Sequence, residues 1–174
     1  MTRPYRFTAA LATVALALGA TTAFADPSGG QNGANGQQNE SHGDTVLKSD
    51  VFGSQPTGPV LFDVPPGGAP WVITKGEAKV RRNGDVKVRV KGLVIPTPPS
   101  NGTNPVQNIA ATVYCGGTAV GTTQAVPFSL AGDARIDDTL ATPLPSPCLA
   151  PAVLLNPAAG GVITTTAYIA ATGA

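Results

Sequence analysis

The sequence has little of what enzymes most often use. There is one histidine, one tryptophan, one methionine and two cysteines, and aromatic residues make up only 5%. The histidine, His42, falls in the run DPSGGQNGANGQQNESHGD (26–44), which has no hydrophobic side chain larger than alanine. No scaffold there would hold an imidazole beside a serine, a cysteine or a carboxylate, so a Ser-His-Asp or Cys-His mechanism has no base to work with. A histidine-ligated zinc or copper site fails for the same reason. The aromatic residues are too few for an exposed row of rings that would stack sugars or bases. Trp71, in Gly67-Gly68-Ala69-Pro70-Trp71, reads as an entry into the core and not as a platform.

Long apolar runs are confined to the N-terminus. Arg3 and Arg6 precede an apolar stretch over 7–20, and Ala23-Phe24-Ala25 forms an A-x-A cleavage signature. The run is shorter than the ~20 residues needed to cross a bilayer, so 1–25 reads as a cleaved secretory signal peptide. Segment 26–44 cannot bury enough apolar surface to offset the entropy of ordering and reads as a disordered leader. Residues 45–174 are then a single domain, large enough for a core of its own. Removal of Arg3 and Arg6 leaves nine basic residues against ten acids, so bulk charge does not point to a polyanionic partner.

Cys115 and Cys148 are an even pair in an exported chain, and their spacing is unlike C-x-x-C. They are expected to form one intramolecular disulfide. Closing a loop of that length stabilises a fold by roughly 3 to 4 kcal/mol in the chain-entropy model.

From Thr45 onward, short apolar stretches rich in Val, Ile and Thr alternate with Gly, Pro and Asn, and the chain carries 17 prolines in all. Proline at that density breaks helices, whereas the β-branched residues suit strands. The expected fold is all-β, an antiparallel β-sandwich of Ig-like or related Greek-key type with about seven to ten strands. Strands are expected near 46–52, 59–64, 70–74, 77–81, 85–90 (running on toward 95), 107–115, 123–130, 134–140, 152–155 and 162–171.

Side-chain parity fixes the register of one hairpin. A two-residue Asn83-Gly84 loop would oppose Val80 to Lys87 and mix core with solvent. A three-residue loop Arg82-Asn83-Gly84, with Gly84 left-handed in a G1 bulge, instead pairs Val80 with Val86 and Ala78 with Val88. Its other face then carries Arg81 opposite Asp85, Glu77 opposite Arg89, and Lys79 opposite Lys87. Elsewhere Ile109, Ala111, Val113 and Cys115 share a core face, with Asn108, Thr112 and Tyr114 opposite. Val126, Phe128 and Leu130 are expected to alternate likewise. So are Ile163, Ala167, Ile169 and Ala171, with Thr164, Thr166 and Tyr168 opposite. One core is expected to hold Trp71, Val80, Val88, Ile109, Val113, Phe128, Ile136 and Ile169.

Seven of the nine basic residues left after cleavage crowd into 75–91. In the three-residue register Lys79, Arg81, Lys87 and Arg89 form a positive stripe on one hairpin face. Such a stripe either binds an anionic polymer of the cell envelope or simply keeps a face solvated and discourages edge pairing. Nucleic acid is disfavoured, because no aromatic residue is interleaved with these cations. The acidic run Asp133, Asp137, Asp138 is a weak calcium candidate, since it lacks the D-x-[DN]-x-[DN]-G loop. Asp137 and Asp138 are adjacent and point to opposite faces of a strand, which makes a poor pair of catalytic acids. No other metal and no cofactor is expected.

The stretches APWVITKGEAKVRRNGDVKVRVKGLVIP, NIAATVYCGGTAV, AVPFSLAGDARI, CLAPAVLLNP and AYIAATG resemble small secreted β-rich proteins of high-GC actinobacteria, from about Gly67 to the C-terminus. That resemblance transfers no catalytic residue. Gly76-Glu77-Ala78 and Val90-Lys91-Gly92-Leu93 bear a fainter resemblance to the chordin-type repeat domain, whose histidine-bearing motif is missing here.

The expected function is therefore that of a secreted or envelope-associated, non-enzymatic β-sandwich that binds or has a structural role, its partner an envelope polymer or another extracellular protein. The alternatives are an anionic-polymer-binding module using hairpin 75–91, a protease inhibitor presenting the proline-rich loop 142–147 beside Cys148, and a hydrolase that uses carboxylates alone.

Overall fold

The computed structural model describes residues 44–173. The expected signal peptide 1–25, the leader up to residue 43 and His42 lie outside the described residues. Ten strands follow one another: β1 (Thr45–Gly53), β2 (Lys75–Arg81), β3 (Asp85–Lys91), β4 (Asn108–Cys115), β5 (Thr118–Thr122), β6 (Val126–Pro127), β7 (Ala134–Thr139), β8 (Ala152–Ala159), β9 (Val162–Ile163) and β10 (Ala170–Thr172). They form one hydrogen-bonded sheet in the order β5-β4-β8-β10-β1-β2-β3-β7, with β6 also on β4 and β9 on β8. Every ladder between strands is antiparallel.

β1 is what turns this sheet into a sandwich. Its first half pairs with β2 and its last three residues pair with β10, so one strand belongs to both layers. Val80, Val86, Val88 and Ile136 from the β2-β3-β7 layer meet Ile109, Val113, Val153 and Leu155 from the β4-β8 layer in a single core. Trp71 is only 4% exposed there, its ring stacked toward Phe128 at 6.5 Å. All eight residues expected in the core are in it.

The β2–β3 hairpin has the register that parity demanded. Val80 opposes Val86, Ala78 opposes Val88, and Gly84 has a φ of 94°. A one-residue slip of this register would turn valines to water along the whole hairpin.

Four expectations are corrected. First, 123–130 is not one strand: the edge is made by β5, joined to β4 through Gly116 and Gly117 with φ of 59° and 82°, and by the short β6. Two glycines with positive φ suit the two-residue turn that joins twisted strands. Leu130, expected inside, is 74% exposed, because the turn Ser129–Asp133 carries it outward. Second, 59–64 and 70–74 make only isolated bridges, Leu61 with Val64 and Val72 with Val94. Pro59, Pro65, Pro66 and Pro70 cannot donate to a ladder. Between Leu61 and Val64 the chain turns through Phe62 and Asp63, both left-handed, and the Phe62 ring stacks on Tyr114 at 4.5 Å.

Third, 162–171 breaks into β9 and β10, and Ile169 and Ala170 both reach the main core while Tyr168 and Ala171 do not. Fourth, the reverse face of β4 is not solvated. Tyr114 packs with Val64, Leu154, Tyr168 and Ala171 in a second cluster covered by Leu61 and Phe62. Thr112 is buried there by bonding, its hydroxyl donating to Asn156 Oδ1 at 2.7 Å. Buried polar groups persist where such partners exist.

The cysteines are disulfide-bonded, their Cα atoms 5.0 Å apart. Cys115 ends β4 and is buried, so the bond ties segment 141–151 to the end of the core strand. A bond of this kind is at home in an oxidising, extracellular setting. Among the described residues no helix is long and apolar enough to cross a membrane.

Candidate anion-binding face

The layer β1-β2-β3-β7 presents its outward side chains in rows, because directly opposed residues of antiparallel strands share a face. One row reads Lys48, Lys79, Lys87, Asp137 and the next reads Asp50, Glu77, Arg89, Arg135. Beyond them, Arg81 and Asp85 close one end and Lys75 opposite Lys91 closes the other. The four predicted cations Lys79, Arg81, Lys87 and Arg89 are thus together on one face. Lys48, Lys75, Lys91 and Arg135 join them, so eight of the nine cations among the described residues are on this side. The exception, Arg82, lies in the turn and donates to Ser146 Oγ at 2.9 Å.

Four carboxylates share the face. Asp137 is held between Lys87 Nζ at 3.3 Å and Arg135 Nη2 at 3.2 Å. Hydrogen bonds from Arg135, then Lys87, keep its carboxyl below the usual carboxylate range. Asp85 accepts from Asn83 Nδ2 at 3.0 Å and Thr139 Oγ1 at 2.8 Å, and these two bonds hold its carboxyl low, with Arg81 and Lys87 adding their charge. Asp50 and Glu77 are directly opposed across the β1–β2 ladder, and each borders a different concavity.

Like charges are set against each other at four places: Lys48 with Lys79, Lys79 with Lys87, Lys75 with Lys91, and Arg89 with Arg135. Each such pair is destabilising on a sheet, by up to about 1 kcal/mol. A concavity of about 180 Å³ lies among Glu77, Lys79, Lys87 and Arg89. A larger groove of about 450 Å³ adjoins it, with Arg89 common to both.

The acidic trio does not converge. Asp133 Oδ1 accepts from Gly92 N at 2.9 Å, Asp137 faces outward, and Asp138 Oδ2 accepts from Gln124 N at 2.7 Å. No three His, Cys, Asp or Glu residues among the described residues gather as a metal site would require. In the proline-rich loop Leu144 is buried in the main core and its N–H donates to Arg82 O at 3.1 Å, whereas residues 142, 143 and 145–147 are exposed.

Parity in β1 and β7 carries a signal for the missed cations, since Lys48 and Arg135 alternate with core residues. What sequence leaves open is which strands lie side by side. Burial also pushes the Tyr114 and Tyr168 phenols up, and Tyr168 donates to Pro59 O at 2.7 Å, a structural bond on the opposite layer. No protein-family model, curated protein or solved structure matches this chain.

Proposed function

We propose that this is an exported protein that acts by binding and not by catalysis, and that the outward face of β1-β2-β3-β7 takes an anionic polymer of the cell envelope. The reading is carried by the four like-charge pairs. Opposed across the ladders, like charges repel, and Asp137 relieves this at Lys87 and Arg135, whereas a polyanion laid across the face would attract both members of every pair. Export is supported by the signal-like 1–25 and by a disulfide that a reducing cytosol would not maintain. Binding in preference to catalysis is supported by the dispersal of Asp133, Asp137 and Asp138.

Retention on an immobilised polyanion over a salt gradient tests it. The protein should elute progressively earlier as salt rises, and the variant with Lys79, Arg81, Lys87 and Arg89 all changed to Gln should not be retained at all. Unchanged retention of that variant, or none by the parent protein at low salt, rules the reading out.

A further inference from the structure

Within that face, and resting on the reading just proposed, we infer that the groove between β3 and β7 is the seat of a linear phosphodiester polymer of the polyol-phosphate kind. The groove has a cationic rim of Arg89, Lys91 and Arg135, all exposed, and the exposed ring of Pro127 gives it an apolar side. Its one carboxylate, Asp133, is already engaged by the Gly92 N–H. Among the described residues neither Arg89 nor Lys91 has an ion-pair partner, so their charge is available to a ligand. Arg135 shares only one guanidinium nitrogen with Asp137. Two guanidinium forks beside an ammonium suit the oxygens of phosphates, which accept paired N–H donors.

Spacing selects the polymer. Within the groove Arg89 and Lys91 stand two residues apart on β3, a step of about 6.6 Å at the rise of a strand. A chain with six backbone bonds from one phosphorus to the next, as in glycerol phosphate, extends about 7 Å per repeat at the ~1.2 Å per bond of an extended chain. Consecutive phosphates therefore meet consecutive cations, while the carbons between them pass beside Pro127. Nucleic acid has the same six-bond backbone, but its affinity for such surfaces draws on aromatic side chains that stack successive bases. Among the described residues the one exposed aromatic ring at this face is Phe52, on β1 near Lys75 and separated from the groove by β2 and β3.

The test is calorimetric titration of the full mature chain with a glycerol phosphate oligomer and with an oligodeoxythymidylate of equal charge, at several salt concentrations. The glycerol phosphate oligomer should bind at least tenfold tighter. Arg89→Gln/Lys91→Gln/Arg135→Gln should lose at least tenfold and lower the salt slope by roughly 2 to 3. Lys48→Gln/Arg81→Gln, at the other end of the face, should lose less than threefold. Pro127→Glu leaves every cation in place, adds a carboxylate to the groove, and should weaken binding at least fivefold. Equal losses from both sets of cation variants would overturn the groove while leaving the charged face intact. Tighter binding of the oligonucleotide, with loss on Phe52→Ala, would overturn the choice of polymer. No binding of either polymer at low salt would sink the face reading, and this inference with it.

Discussion

Asp138 Oδ2 accepts a hydrogen bond from the backbone N–H of Gln124 at 2.7 Å, a bond that bridges the two outer edges of the folded sheet. Asp138 sits on β7, the last strand of one layer, and Gln124 lies between β5 and β6 at the margin of the other. Its register partner is the buried Val86, so the carboxylate points along the inner side of an edge strand. A charge placed there also deters another strand from pairing. The second oxygen caps its neighbour, accepting from Thr139 N at 2.8 Å.

Asp138→Ala should therefore destabilise the fold by about 1 to 3 kcal/mol, the usual range for a charge-assisted hydrogen bond. Denaturant titration checks the magnitude. Hydrogen exchange checks the mechanism, because the Gln124 amide should lose protection ahead of the β2–β3 ladder.

Breaking the Cys115–Cys148 bond should cost roughly 3 to 4 kcal/mol, since it closes a loop with a sequence separation of 33. Denaturation midpoints with and without reductant measure this. Protein isolated from outside the cell should contain no titratable thiol, and finding two would contradict the bond.

Lys75→Glu should raise stability and lower function together. It turns the Lys75–Lys91 repulsion into attraction, for a gain of up to about 1 kcal/mol. The same change should bring elution from a polyanion column to lower salt. A gain in stability with no loss of retention would separate the repulsion from binding.

Acid should weaken the hairpin end of the sheet. Asp85 binds protons less readily folded than unfolded, because Asn83 and Thr139 donate to its ionised form and Arg81 and Lys87 favour it. The stabilisation is therefore fully present above its ordinary value of 3.8 and is lost as pH falls through the lower folded value. Asp137 acts in the same direction through Arg135 and Lys87. Asp85→Asn should cost about 1 kcal/mol at pH 7, and the difference from the parent protein should shrink toward pH 2 to 3. Denaturant midpoints at the two pH values decide it, and a pH-independent gap would show that the charge is not involved.

The β2–β3 hairpin was legible from sequence because alternation there is strict, an odd loop is needed to keep four valines on one side, and Asn83-Gly84 places a three-residue turn. The edge at β5 was less so. Thr118–Thr122 is short and its signal was the Gly116-Gly117 pair just after Cys115, a turn that β-branched residues on both sides make readable in retrospect. The burial of Tyr114 and Thr112 was not legible at all. Alternation marks the side of a strand that faces the main core, but a second cover formed by a proline-broken loop leaves no period in the strand beneath it.

Local sequence alone determined the strands of hairpin 75–91, the side to which Lys79, Arg81, Lys87 and Arg89 point, the cysteine pairing and the residues of the central core. Each depends on parity, turn chemistry or the count of a residue type, which are properties of neighbouring positions. Only the tertiary structure decided that β1 serves both layers, that Lys48 and Arg135 complete the charged rows, that Leu144 turns inward and that Asp138 reaches Gln124. Those depend on which strands lie side by side, and that is settled by the burial of many distant apolar side chains at once.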